Sequence, residues 1–83
     1  MALRLPNEMV AAGKALDVDA ATKLINLGPR PFYMNDAGQK VTPEIYVLAG
    51  LHTMRAVNAD QFTPEETQES RDWLNANGWN IPA

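Results

Sequence analysis

The stretch TPEIYVLAGLHTMRAV, residues 42–57, decides the fold. It begins with a helix start signal, because the Thr42 hydroxyl can cap the first turn and Pro43 lacks the N–H that would be unpaired there. Glu44 adds a negative charge where the helix dipole favours one. Seven uncharged residues, 45–51, then put apolar side chains on most sides of the predicted helix. A helix of this kind usually has neighbours on several sides, so we predict that it is the central one.

The spacing of the apolar residues predicts which face of this helix enters the core. Val47, Leu51 and Met54 follow one another at intervals of four and three, so they lie on one face. Ile45 and Leu48 are expected to widen that face. The helix is too short to span a bilayer.

Two helices are predicted before this stretch. Asn7 can cap a first helix that runs to about Leu16. Asp17 or Asp19 then starts a second helix, and Gly28 followed by a proline is a standard stop signal.

One further helix is predicted after the central one. Thr63 and Glu66 have the spacing of a capping box, and Pro64 occupies the first helical position. The helix should run to about Asn77, where Gly78 can end it.

A short β-hairpin is predicted between the second and third helices. Residues 32–34 and 39–41 flank the turn sequence NDAG, in which Gly38 supplies the left-handed residue. Alternation places Phe32 and Met34 on one face and Tyr33 on the other. We therefore predict a mainly α fold: a small four-helix domain, residues 1–83, with one short hairpin between helices 2 and 3.

Composition excludes several classes of function. The 83 residues include no cysteine and one histidine, so neither a disulfide framework nor the usual zinc sites can form. We expect no cofactor, no metal and no membrane partner. The absence of cysteine and of a visible leader sequence favours a cytoplasmic protein. The net charge of −3 divides unevenly, since residues 58–83 hold five acids and one base.

Catalysis lacks a recognisable set of residues. His52 is the only imidazole, and no nucleophile or orienting carboxylate stands at a motif spacing from it. We expect His52 to be either partly exposed or hydrogen-bonded to a neighbouring group. Glu65 and Glu69 share a helix face, but general acid–base catalysis needs one carboxylate in an apolar pocket, and this polar stretch is expected to be solvated. We therefore expect a non-catalytic protein.

One resemblance favours nucleic acid as an alternative partner. Residues 14–22 (KALDVDAAT), the pair Arg30-Pro31 and residues 35–41 (NDAGQKV) resemble the mercury-regulator type of winged helix-turn-helix protein. The resemblance implies DNA binding through helix 2 and the hairpin. Lys23 stands where that family has an apolar residue, and the isoelectric point is near 4.9. The cations available for phosphate contacts are Lys14, Lys23, Arg30 and Lys40.

Protein binding is the function that we expect. A small chain gains stability from association, and aromatic residues often anchor interfaces. The partner is another protein or a second copy of the chain. An accessory, regulatory or assembly role, of the kind common among small bacterial and bacteriophage proteins, fits this composition. The candidate contact residues are Tyr33, Gln39 and Lys40 on the hairpin, and Glu65, Glu66, Glu69 and Trp79 near the carboxyl end. The alternative for Trp73 and Trp79 is that both belong to the core.

Overall fold

The computed structural model describes residues 4–25, 27–28 and 30–81. These residues form four helices and an antiparallel hairpin between the second and third, which confirms the predicted mainly α fold. None of the helices in the described part of the chain is long and apolar enough to cross a membrane. The elements are α1 (Asn7–Ala15), α2 (Val18–Leu24), β1 (Tyr33–Met34), β2 (Lys40–Val41), α3 (Pro43–Val57) and α4 (Pro64–Ala76).

The predicted start signals of the last two helices are confirmed. The Thr42 hydroxyl accepts a hydrogen bond of 3.2 Å from the Ile45 N–H at the start of α3. At the start of α4, the Thr63 hydroxyl accepts from the Glu66 N–H, and the Glu66 carboxylate accepts from the Thr63 N–H at 2.8 Å. This reciprocal pair is a capping box, which stabilises the first turn.

The start of α1 and the end of α2 differ from the prediction, whereas the end of α1 near Leu16 and the start of α2 at Asp17 agree with it. Asn7 is the first helical residue rather than the cap, because the chain enters α1 from Pro6 in an extended conformation and no side chain caps the turn. Leu16 ends α1 in the left-handed conformation, with φ of 50°. Asp17 then caps α2, as predicted, but α2 ends at Leu24, well before Gly28, because the backbone becomes extended at residue 25. The predicted stop at residue 29 lies outside the described residues.

Two apolar clusters pack on different sides of α3, which confirms its central position. Ile45, expected to widen the buried face, is instead 37% exposed. The first cluster joins α3 to α1, α2 and the loop before α4, and consists of Ala12, Ala21, Val47, Leu51, Met54 and Phe62. The second joins α3 to α4, and consists of Ala49, Ala56 and Leu74 with Trp73, Trp79 and Ile81 packed against them.

The hairpin is attached to the helices through one of its faces. Tyr33 lies across from Val41 in the ladder, and its ring stacks on that of Tyr46 with 4.2 Å between centroids. The turn follows the prediction, with Gly38 at φ of 80°. Phe32 and Met34 point to the other face, as their alternation predicted, and are exposed.

The tip of the hairpin is held by the chain that follows α4. The Ala37 N–H donates to the Gly78 carbonyl at 3.0 Å, and the Asn80 N–H donates to the Asp36 carboxylate at 2.8 Å. The Asn35 side chain donates to the carbonyl of residue 77. The hairpin therefore packs against the carboxyl end of α4 as well as the amino end of α3.

Candidate functional site

A buried polar pair lies between α3 and α4. His52 Nδ1 and Ser70 Oγ are 2.9 Å apart, and the two residues are 2% and 0% exposed. The indole of Trp73 stacks on the imidazole with 4.4 Å between centroids. Of the two alternatives predicted for His52, the hydrogen-bonded one is found and the partly exposed one is wrong, and Ser70 was not predicted as its partner. Ser70 lies four residues before Leu74 and therefore on the same face of α4, and this spacing could have indicated that Ser70 is buried.

The His52–Ser70 pair contains a hydroxyl and an imidazole, as a catalytic nucleophile and base do, but it lacks the basicity and the access to a substrate that catalysis needs. Burial, and then the positive charge of Arg55, lower the pKa of His52 from 6.5 to about 4, so the imidazole is neutral at pH 7 and a weak base. A reacting group would have to reach Ser70, whose side chain no solvent touches in this conformation. The contact that the pair does make is a link between α3 and α4.

Arg55 places a charged group in the same interface. Its side chain is 4% exposed, and its Nη1 lies 3.4 Å from Glu69 Oε1. The Arg55 Nε is buried and has no hydrogen-bond partner among the described residues. The Thr67 hydroxyl donates to the Arg55 carbonyl at 3.1 Å and further ties α4 to α3. The Glu69 side chain remains 64% exposed, so its contact with Arg55 leaves most of its surface accessible to solvent.

The candidate glutamates of α4 have different neighbours. Glu66 closes the capping box and lies 3.0 Å from the Lys14 ammonium, so it is engaged within the chain. The Thr63 backbone N–H, followed by Lys14, lowers the pKa of Glu66. Glu65 is exposed and has no ion pair among the described residues. The structure therefore leaves Glu65 and most of Glu69 free for a partner.

The aromatic candidates Tyr33 and Trp79 both pack against other rings of the fold. Tyr33, expected among the contact residues of the hairpin tip, is 8% exposed because its ring packs on Tyr46. Trp79 is half-buried, and its ring lies 5.8 Å from that of Trp73 in the second apolar cluster. Gln39 is exposed, but its side chain accepts a hydrogen bond from Asn35 at 3.0 Å. These side chains mainly hold the hairpin and the carboxyl end in place.

The exposed face of the hairpin combines apolar and basic side chains. Phe32 and Met34 are 41% and 50% exposed. The Lys40 ammonium lies 4.6 Å from the centre of the Phe32 ring, and the Arg30 guanidinium lies 5.4 Å from that of Tyr33. We call Arg30, Phe32, Met34 and Lys40 the basic hairpin face.

An apolar pocket of about 140 Å³ that was not predicted from the sequence lies beside α3. Gly50 and Tyr46 belong to its rim, since both are exposed. A β-carbon on Gly50 would meet no atom within 4 Å. The feature of the sequence that could have indicated this pocket is a glycine four residues after Tyr46, within the uncharged stretch 45–51. The residues that line this α3 pocket are Met9, Ala21, Ile25, Tyr46, Val47, Gly50, Leu51 and Met54.

The four cations proposed for phosphate contacts are not gathered by the fold into one set of unpaired charges. Lys14 is paired with Glu66, whereas Arg30 and Lys40 lie beside aromatic rings of the hairpin. Lys23, on α2, lines a surface depression together with Glu8 and Asp17. Acidic side chains therefore share the surface that a recognition helix would present to DNA.

Comparison with known proteins adds no functional information. No protein-family model, no curated protein and no solved structure matches this chain. Within the described residues, no three histidine, aspartate or glutamate side chains are placed to hold a metal ion.

Proposed function

We propose that this chain is a non-catalytic protein that acts by binding another protein, and that the α3 pocket receives an apolar side chain of that partner. The supporting observation is the pocket itself, whose lining contains no charged residue. A dry apolar cavity of about 150 Å³ holds one benzene molecule. The α3 pocket, at about 140 Å³, therefore suits a phenyl ring or a branched aliphatic side chain.

Gly50 keeps this pocket open at a measurable cost. Glycine inside a helix is about 1 kcal/mol less favourable than alanine. No neighbouring atom requires a glycine at position 50, since the space around the missing β-carbon is empty. A side chain there would enter the space that the partner needs.

The rim of the pocket is ordered before any partner arrives. Tyr46 is 37% exposed, yet its ring is stacked on Tyr33. A rim held in this way loses little conformational entropy on binding, which favours affinity. Apolar and aromatic anchors that fill such pockets commonly supply most of the binding energy of an interface.

An accessory, regulatory or assembly role in the cytoplasm, as in bacteria or bacteriophages, is the setting that we propose. The cysteine-free composition supports a reducing compartment.

Peptide display tests this function directly. The folded protein would be immobilised and used to select from a random peptide library, and binding constants would be measured by fluorescence anisotropy. We expect the selected peptides to share one aromatic or branched apolar residue. Gly50→Leu should weaken their binding at least about tenfold without lowering the melting temperature, because the new side chain occupies the pocket rather than the core.

Val57→Leu is the matched control, because it adds bulk to an exposed position of the same helix that does not line the pocket. It should leave peptide binding unchanged. Failure to select any peptide, or equal binding to the Gly50→Leu variant, would contradict the proposed function.

A further inference from the structure

The basic hairpin face carries positive charge that the chain itself does not neutralise. Lys40 and Arg30 lie beside aromatic rings. Among the described residues, neither cation has a carboxylate oxygen within 4 Å. Phe32 and Met34 beside them expose apolar surface. A partner for this face must therefore offer negative charge together with some apolar contact.

The exposed side of α4 offers that combination. Glu65, Glu69 and Asp72 follow at intervals of four and three, so they lie along one side of the helix. Gln68, also exposed, donates to the Asp72 carboxylate at 2.9 Å. We call Glu65, Gln68, Glu69 and Asp72 the acidic ridge. Between the carboxylates, the CH₂ groups of these side chains supply apolar surface.

The hairpin tip and the start of the acidic ridge lie at different ends of α4 within one chain. The tip is bonded to the residues after α4, through Gly78 and Asn80. Glu65 stands in the first turn of α4, and a 13-residue helix is about 20 Å long. Among the described residues, no carboxylate of the acidic ridge forms an ion pair with Arg30 or Lys40, so the basic hairpin face and the ridge are surfaces of opposite charge that do not neutralise each other within one chain.

We propose that the partner of the basic hairpin face is the acidic ridge of a second copy of this chain. Arg30 and Lys40 meet carboxylates of the ridge, while Phe32 packs on the CH₂ groups between them. Because the two surfaces differ, the contact is head-to-tail and leads to a closed ring or an open filament. None of these residues lines the α3 pocket, so every copy in the assembly keeps its pocket open.

Equilibrium sedimentation of the whole chain at two salt concentrations tests the assembly. The monomer mass is 9.1 kDa. At about 0.05 M salt we expect the average mass to exceed this value and to rise with protein concentration. At about 0.5 M salt it should return to the monomer mass, because salt screens exposed charge pairs.

Neutral variants identify the two surfaces. Arg30→Gln/Lys40→Gln removes both charges of the hairpin face, and Glu65→Gln/Asp72→Asn removes two of the three carboxylates of the ridge, sparing Glu69, which also contacts Arg55. Each variant alone should be monomeric at low salt. An equimolar mixture retains one intact hairpin face and one intact ridge, so it should form dimers of twice the 9.1 kDa mass and nothing larger. Lys23→Gln, which neutralises an exposed cation elsewhere, should assemble as the unaltered chain does.

Three outcomes would overturn the proposal. The first is an unaltered chain that stays monomeric at low salt at every protein concentration. The second is an assembly that persists in both charge-neutral variants. The third is an assembly that Gly50→Leu abolishes and the hairpin variant does not, which would place the contact at the α3 pocket. Since peptide binding is measured separately, failure of the assembly leaves the proposed function standing.

Discussion

The imidazole of His52 and the hydroxyl of Ser70 form a 2.9 Å hydrogen bond in the interface between α3 and α4. Neither residue is exposed enough to exchange this partner for water. A buried polar group that loses its partner costs more than the net worth of the bond. The stability of the α3–α4 interface should therefore depend on both residues and on the charge state of the imidazole.

Acid should destabilise the protein through His52. Its pKa is lowered from 6.5 to about 4 in the fold, so the unfolded chain takes up the proton at higher pH than the folded one. Stability should therefore fall as pH drops from 6.5 towards 4, by about 3 kcal/mol in total. Urea denaturation at pH 7.5, 6 and 5 measures how the free energy of unfolding changes with pH.

His52→Gln is the control for this pH dependence. The lowered pKa of Glu66 decreases the free energy of unfolding only as the pH approaches and passes its ordinary value of 4.5. The change in stability between pH 6.5 and 5 therefore reports on His52. The variant should show a flat profile there. The same slope in the variant would mean that another group is responsible.

Ser70→Ala should destabilise the protein by about 1–3 kcal/mol, because it leaves the buried Nδ1 of His52 without its partner. A double-mutant cycle with His52→Phe measures the coupling by thermal denaturation. The decrease in the free energy of unfolding should be smaller in the double variant than the sum of the decreases in the two single variants. Strict additivity would show that the hydrogen bond contributes nothing.

Two helical glycines should respond differently to alanine. Gly50→Ala should raise the free energy of unfolding by about 1 kcal/mol, since the new methyl group meets no atom. At Gly13 the β-carbon would lie 2.8 Å from Met54 Cε and 3.0 Å from Phe62 Cζ. In Gly13→Ala, the free-energy cost of crowding in the core should equal or exceed the stabilisation that comes from the higher helix propensity of alanine. Equal melting temperatures for the two variants would contradict this packing.

DNA binding should be absent at low salt, where phosphate contacts are strongest. The reason is that Lys14 is paired with Glu66 at 3.0 Å and Lys23 shares its surface with acidic residues. A mobility-shift assay with mixed-sequence duplex tests this at about 0.05 M salt. A shift that Lys23→Glu/Lys40→Glu abolishes would instead support the winged-helix alternative.

The sequence alone determined the local features of the fold. The starts of α3 and α4 were predictable because Thr42 and Thr63 act on backbone groups within three residues. The hairpin was predictable because a turn needs a residue such as Gly38 that accepts a positive φ. Asn7 was the exception: the chain entered α1 through Pro6, and the start of that helix has no side-chain cap.

Only the tertiary structure decided which polar and aromatic residues are available to a partner. Glu66 is engaged because Lys14, 52 positions away, lies 3.0 Å from it, and Tyr33 is buried because its ring stacks on Tyr46. The α3 pocket likewise exists only where three helices meet around Gly50. Caps and turns depend on neighbours along the chain, whereas burial, ion pairs and pockets depend on residues that only packing brings together.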